Sequence, residues 1–116
     1  MEKITSFKDL DIWRKGIELV KEVYSVTGKF PNTELYGLAS WMRRAAVSIP
    51  SNTAEGFRRR HSKEFRHFLD IALGSAAELE TQVIIAKELR YLENDARTLE
   101  LIDHISRMIA NLLKKL

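Results

Sequence analysis

Two patterns of acidic and histidine residues have spacings known from metal and acid–base chemistry. Glu64 and His67 lie three residues apart, which is the spacing of a ligand pair in ferritin-like di-iron sites. Such a site takes two Glu-x-x-His pairs and a glutamate from each of two further helices, whereas the sequence holds one pair. Glu78 and Glu80 lie two residues apart and would project from different faces of a helix. We therefore expect no metal site, no catalytic residue, no cofactor and no enzymatic activity.

Positive charge is concentrated in residues 42–67. This segment carries a net charge of +5, residues 68–103 carry −5, and the whole chain carries +3. The basic residues of the segment are Arg43, Arg44, Arg58, Arg59, Arg60, Lys63 and Arg66. Two interpretations stay open: a solvated turn and helix face, or a surface for an anionic partner, most plausibly nucleic acid. On the second interpretation these side chains contact phosphates, which positions nucleic acid without reading its sequence.

The composition indicates one globular domain. The 116 residues suffice for a single domain with one core, residues 1–116. The absence of cysteine excludes disulfides and thiolate metal sites and favours a reducing, cytoplasmic location. The first nine residues are charged and lack the apolar region of a signal peptide, and no apolar run approaches the length that spans a bilayer. We therefore expect no membrane segment.

Apolar residues recur at helical spacing around the basic segment. The second predicted helix begins at a cap at Asn32 or Thr33 and runs to about Arg58. Its stripe is Leu35, Leu38, Met42, Ala45, Ile49, Thr53 and Gly56. The stripe continues past Pro50, which predicts one kinked helix rather than two helices. The polar side chains expected to bond the backbone groups that the proline frees are Ser48, Ser51 and Asn52.

Three further amphipathic helices are predicted. The first runs from Phe7 to Val26 with a cap at Ser6, and its inward stripe is Leu10, Trp13, Ile17, Val20 and Tyr24. The third runs from about Lys63 to Tyr91 with a cap at Ser62, and the fourth from about Ala96 to Leu113. Four helices with short turns and no alternating strand pattern predict an all-α fold, an antiparallel up-down four-helix bundle.

The second and third helices carry more apolar residues than a monomeric bundle needs. The additional residues are Tyr36, Val47, Ala54 and Phe57 in the second helix and Ile71, Leu73, Ile84 and Ile85 in the third. A helix that is apolar on more than one stripe is buried on more than one side. We therefore predict a homo-oligomer, the alternative being a wider core. One of Arg43 and Arg44 would then lie near a subunit boundary or pair with an acid such as Glu78, and the other would reach solvent. Glu78 or Glu55 is expected to pair with an arginine of the second helix.

Several segments resemble the 23S rRNA intervening-sequence protein family. They are ELYGL at residues 34–38, RRAAVSIPSN at 43–52, AEG at 54–56, FLDIALGS at 68–75 and ELETQ at 78–82, with FKDL at 7–10. The resemblance spans nearly the whole chain and implies a bacterial four-helix bundle. It also implies similarity to the accessory proteins of diversity-generating retroelements, which are homopentameric barrels that bind nucleic acid and a reverse transcriptase through basic surfaces.

The residues and the resemblance together predict a non-enzymatic, oligomeric nucleic-acid-binding protein. Its ligand would be RNA or DNA, with RNA favoured, bound through phosphates and with weak sequence specificity. The alternative is an oligomeric scaffold that binds a protein partner through the acidic residues 68–103 or through the basic segment.

Overall fold

The computed structural model describes residues 4–116, which form four helices and contain no strand. These are α1 (Asp11–Thr27), α2 (Leu38–Arg58), α3 (Ser62–Glu88) and α4 (Ala96–Leu113). Short 3-10 turns at Phe7–Asp9 and Asn32–Glu34 precede α1 and α2. Each helix packs against its neighbours in the chain, and α1 also packs against α4. With short connections this closed ring of neighbours is an antiparallel four-helix bundle, measuring 47 × 24 × 19 Å, as the sequence predicts.

The interior of the bundle is filled by aliphatic side chains from all four helices. The largest fully buried ones include Leu19, Val23, Met42, Ile49, Leu69, Leu79, Val83, Ile102, Ile105 and Ile109. In α2, the stripe that the sequence predicts is buried from Leu38 to Gly56. The buried residues of α3 include Leu69, Ala72, Ala76, Leu79 and Val83, and those of α4 include Ile102, Ile105 and Ile109.

Helix α2 is continuous through Pro50, as its apolar stripe predicts. Pro50 is buried and packs against Gly16 of α1, where an added Cβ would lie 3.1 Å from the Cβ of Pro50. The glycine therefore lets α1 approach α2 at the proline ring. Asn52 donates to the carbonyl oxygen of Ser48 at 2.8 Å, not to the Ala46 carbonyl that the proline frees, so the predicted acceptor was wrong.

Helix α2 begins later than the sequence predicts. Its first residue is Leu38, and Leu35 is exposed. Glu34 accepts a hydrogen bond from the backbone N–H of Leu38 at 3.1 Å and another from the hydroxyl of Tyr91 at 3.0 Å. The hydrogen bond to the Glu34 carboxylate, aided by desolvation, raises the pKa of Tyr91 above its ordinary value of 10.0. A carboxylate four residues before the helix thus satisfies the N–H of the first helical residue, one of the backbone donors that a helix start leaves without an intrahelical partner. The cap position is Gly37, so the predicted caps Asn32 and Thr33 were wrong.

Helix α1 also differs from its predicted start and face. Ser6 caps the 3-10 turn, where its Oγ accepts from the N–H of Lys8 at 3.2 Å, so α1 starts at Asp11. The buried residues are Ile12, Gly16, Leu19, Val23 and Thr27, whereas Ile17 and Tyr24 of the predicted stripe are exposed. The two stripes lie one position apart, and periodicity alone does not choose between them.

Both turns that flank α3 contain an arginine with left-handed backbone conformation. Arg60 has a φ of 64° after α2, and Arg90 has a φ of 65° after α3. Glycine is the usual residue at this position after a helix, because an L-residue there costs roughly 1–2 kcal/mol. Helix α3 therefore ends at Glu88, before the predicted Tyr91, and Ser62 is its first residue rather than its cap.

Candidate nucleic-acid interface

The antiparallel topology brings the end of α2, the start of α3 and the end of α4 together. Arg66 of α3 connects two of them, because its Nη1 donates to the backbone oxygens of Leu113 at 2.9 Å and Leu116 at 2.8 Å. We refer to this region as the basic end and define it by Arg58, Arg59, Arg60, Lys63, Arg66, Lys114 and Lys115. Lys114 and Lys115 are not among the basic residues that the sequence singles out, although an up-down bundle necessarily places the end of α4 beside the start of α3.

The arginines of the basic end rest on aromatic rings. The guanidinium carbon of Arg58 lies 5.4 Å from the centroid of the Phe7 ring, and that of Arg59 lies 5.2 Å from the centroid of Phe68. Such contacts orient an arginine while leaving its charge in solvent.

Arg59 differs from the other cations at this end in having a carboxylate partner. Its Nη2 lies 2.9 Å from Oε2 of Glu55, one turn earlier, and both side chains are exposed. The sequence predicts a pair between Glu55 and an arginine of the second helix, whereas the arginine found is Arg59, which directly follows α2. Within residues 4–116, no carboxylate pairs with Arg58, Arg60 or Lys63. These three exposed cations can meet an anion without first breaking an ion pair.

Arg43 and Arg44 lie elsewhere on the molecule. Arg44 and Arg58 are fourteen positions apart, which corresponds to about 21 Å along α2. Arg43 is half-buried, its Nε donates to Oγ1 of Thr27 at 2.8 Å, and its guanidinium carbon lies 4.6 Å from the centroid of Tyr24. The structure therefore separates the seven residues that the sequence singled out into two groups.

Arg44 is exposed, as predicted for one member of this pair. It lines a groove between α2 and α3 together with Trp41 and Glu78. Neither arginine pairs with Glu78, which instead accepts from Nε2 of Gln82 at 3.3 Å. Placement of one of the two arginines at a subunit boundary stays a prediction.

The Glu64 and His67 pair lies at the same end of the molecule. His67 is exposed, and its ring contacts Phe68 edge to face at 5.5 Å between centroids. The described part of the chain holds no group of three or more His, Cys, Asp or Glu side chains arranged to bind a metal ion.

The outer surfaces of α2 and α3, and residues that flank these helices, expose large apolar side chains. Tyr36 is 91% exposed and Trp41 is 55% exposed, and Val47, Ile71, Ile84, Ile85 and Leu89 are exposed as well. Of the predicted additional residues, Ala54, Phe57 and Leu73 are half-buried. In the groove beside Trp41, Ile85 and Leu89 lies Gln82, whose buried Oε1 has no hydrogen-bond partner among the described residues. A buried carbonyl oxygen that accepts no hydrogen bond lowers the stability of the fold, unless a further group donates a hydrogen bond to it.

A family model described as 23S rRNA-intervening sequence protein matches residues 8–111, which include α1, α2, α3 and nearly all of α4. No curated protein matches the chain. In the part of the chain that the structure describes, no helix is both long and apolar enough to cross a membrane.

Proposed function

Because the chain belongs to the 23S rRNA-intervening sequence protein family, we propose that it is a non-enzymatic, oligomeric protein that binds nucleic acid through its basic end. The observation that carries the proposal is the set of exposed cations Arg58, Arg60 and Lys63, none of which pairs with a carboxylate of residues 4–116. Lys114 and Lys115 add two further exposed charges beside them. Phosphate contacts by such groups release counterions and supply affinity that does not depend on sequence.

RNA is the preferred ligand in this proposal. The family description refers to an intervening sequence of 23S rRNA, and the exposed cations suit the phosphates of any nucleic acid. Phosphate contact requires no catalytic group and no cofactor, so the function proposed is binding alone. Weak sequence preference follows, since the cations of the basic end would meet the backbone rather than base edges.

The test is a salt titration of binding to a fluorescent RNA strand and to a DNA strand of equal length. Binding through phosphates predicts a logarithm of the association constant that falls linearly with the logarithm of salt concentration, with a slope of about −0.7 per contact for single strands. Absence of binding to both strands at low salt would overturn the proposal and favour a scaffold that binds a protein partner.

Self-association is supported by the groove between α2 and α3. A second copy seated there would cover Trp41, Ile85 and Leu89 and could supply the hydrogen-bond donor that Oε1 of Gln82 lacks. Neighbouring exposed apolar side chains that are rimmed by polar residues, here Glu78 and Thr81, are typical of interaction sites. By resemblance the assembly is a pentamer, and five chains of 13.4 kDa have a mass of about 67 kDa.

Light scattering tests the assembly, and two isoleucines provide a matched pair. Ile85 lies in the groove and Ile17 lies on α1 beside α4, and both are exposed to a similar extent. We expect Ile85→Lys to dissociate the assembly and Ile17→Lys to leave it intact, because a charge is costly only where the interface buries it. A parent mass of 13.4 kDa at micromolar concentration would contradict self-association.

A further inference from the structure

A cavity of about 700 Å³ opens at the basic end, between residues 4–6 and the turn that joins α2 to α3. Its lining includes the rings of Phe57 and Phe65 and the cationic side chains of Arg58 and Arg60. The hydroxyl-bearing residue Ser6 also lines it, and none of the lining residues is acidic. Cavities of roughly 300–1,000 Å³ are the size that holds small organic ligands or single chemical groups of larger ones.

The two aromatic rings give the cavity a fixed apolar part. Phe57 and Phe65 are half-buried and contact each other edge to face, with centroids 5.9 Å apart and ring planes at 81°. Phe65 packs close to α2 at Gly56, because glycine has no Cβ there. An added Cβ would lie 3.1 Å from Cδ1 of Phe65. These rings therefore keep their positions without a ligand, and a planar group entering the cavity would meet preordered aromatic carbon.

Arg58 and Arg60 supply the cationic part of the cavity. Arg58 rests on the ring of Phe7, and the backbone of Arg60 is held in the left-handed region at a φ of 64°. Neither guanidinium pairs with a carboxylate of residues 4–116. A ligand that matches both parts has a planar, weakly polar group for the rings and a negative charge for the arginines.

From this juxtaposition of rings and arginines, we infer that the cavity receives an unpaired nucleobase of a single-stranded nucleic acid while the adjoining phosphates contact Arg58 and Arg60. The inference rests on the proposed function and specifies its ligand as single-stranded. Bases stack on aromatic side chains with little dependence on base identity, which agrees with weak sequence preference. A base inside a duplex is already stacked and paired, and it would have to leave the helix to reach the cavity.

The experiment measures fluorescence anisotropy with three labelled probes at one salt concentration. The first is a twelve-nucleotide DNA strand of mixed sequence, the second is the same backbone with every base replaced by a tetrahydrofuran abasic unit, and the third is the duplex of the first strand. Because the two single strands carry equal charge, a difference between them reports the bases. We expect the abasic strand and the duplex to bind about tenfold more weakly than the base-bearing strand.

Two phenylalanine variants locate the effect. Phe65→Leu removes an aromatic ring from the cavity, whereas Phe68→Leu is the same change in the same helix at a residue that also packs on Gly56 but does not line the cavity. We expect Phe65→Leu to lose most of the preference for the base-bearing strand without changing the salt slope. Phe68→Leu should retain that preference, because any loss of affinity through Arg59, which rests on the Phe68 ring, is equal for the two strands. Circular dichroism checks that both variants are folded.

Failure of the inference and failure of the proposed function give different results. Equal binding of the parent to the base-bearing and abasic strands, with a steep salt dependence, leaves phosphate binding intact and overturns the base site. No binding at low salt to any of these probes or to the RNA strand of the salt titration overturns the proposed function itself. Should Phe65→Leu not fold, the comparison of the two single strands on the parent protein still decides the question.

Discussion

Replacing Arg60 by glycine should make the protein more stable and a weaker binder at the same time. The left-handed backbone of Arg60 costs an L-residue roughly 1–2 kcal/mol, whereas glycine adopts it without strain. Glycine also loses about 0.5–1 kcal/mol more conformational entropy on folding. The balance is a gain of about 0.5–1 kcal/mol, which corresponds to a rise in Tm of about 2–6 °C for a chain of this size.

The affinity of Arg60→Gly for nucleic acid should fall, whereas its stability rises. Arg60→Gly removes one proposed phosphate contact, and each contact contributes about 0.7–0.9 to the slope of the logarithm of affinity against the logarithm of salt concentration. At about 0.1 M salt, relative to the 1 M reference, this loss corresponds to an affinity about five- to eightfold lower. A variant that melts higher yet binds more weakly cannot owe its binding defect to unfolding.

Arg90→Gly is the matched control. Arg90 has the same left-handed conformation, with a φ of 65°, at the other end of α3. The 27 residues of α3 separate the two turns by about 40 Å, well beyond the Debye length of about 10 Å at 0.1 M salt. We expect the same rise in Tm and no change in affinity or salt slope. If Arg60→Gly kept the salt slope of the parent, the guanidinium of Arg60 would not contact phosphate. A fall in Tm in both variants would refute the assignment of backbone strain to Arg60 and Arg90.

Three further predictions concern packing, titration and the end of α4. Thermal melts should show Gly16→Ala destabilised by about 1–3 kcal/mol through its clash with the buried proline, whereas Gly74→Ala, with open space around it, should gain about 0.5–1 kcal/mol. Absorbance titration should find the pKa of Tyr91 above 10.0 in the parent and lower in Glu34→Gln. Folding raises that pKa, so the Tyr91 hydroxyl contributes its whole stabilisation below pH 10.0 and loses it as pH rises through the folded-state pKa. The free energy of unfolding of Glu34→Gln should therefore fall less steeply with pH in the alkaline range than that of the parent. Arg66→Ala should lower stability by about 1 kcal/mol with a smaller change of salt slope than Arg60→Gly, because Arg66 already bonds two carbonyl oxygens.

The sequence predicted the elements whose signals are local and periodic. The main apolar stripe of α2 runs unbroken from Leu38 to Gly56, so its burial and its continuity through Pro50 followed from spacing. In α1 two apolar stripes compete, and the choice depends on the partner helix: Gly16 turns inward because α1 approaches Pro50 there. Such a choice is made by tertiary packing and is not present in the spacing of one helix.

At the basic end, too, the sequence predicted what is local in the chain and not what depends on tertiary packing. The concentration of charge at residues 58–66 could be read directly, whereas the contribution of Lys114 and Lys115 required the topology. Contacts between distant residues, such as Arg43 with Thr27 and Glu34 with Tyr91, have no local signal in a single sequence. The cavity beside Phe57 likewise forms only when the segment before α1 meets the turn after α2.

The claim that the basic end binds the phosphates of nucleic acid is tested most directly by the salt slope of binding. The parent is compared with the triple variant Arg58→Ala, Arg59→Ala, Arg60→Ala. The three side chains are exposed, so their removal should change stability little. If the basic end contacts phosphates, the triple variant should bind nucleic acid more weakly. Its salt slope should be shallower by about two to three units, about one for each arginine, with a smaller contribution from Arg59 because Arg59 pairs with Glu55. A triple variant that binds as the parent does, with the same slope, would contradict the account and identify the basic end as a solvated surface.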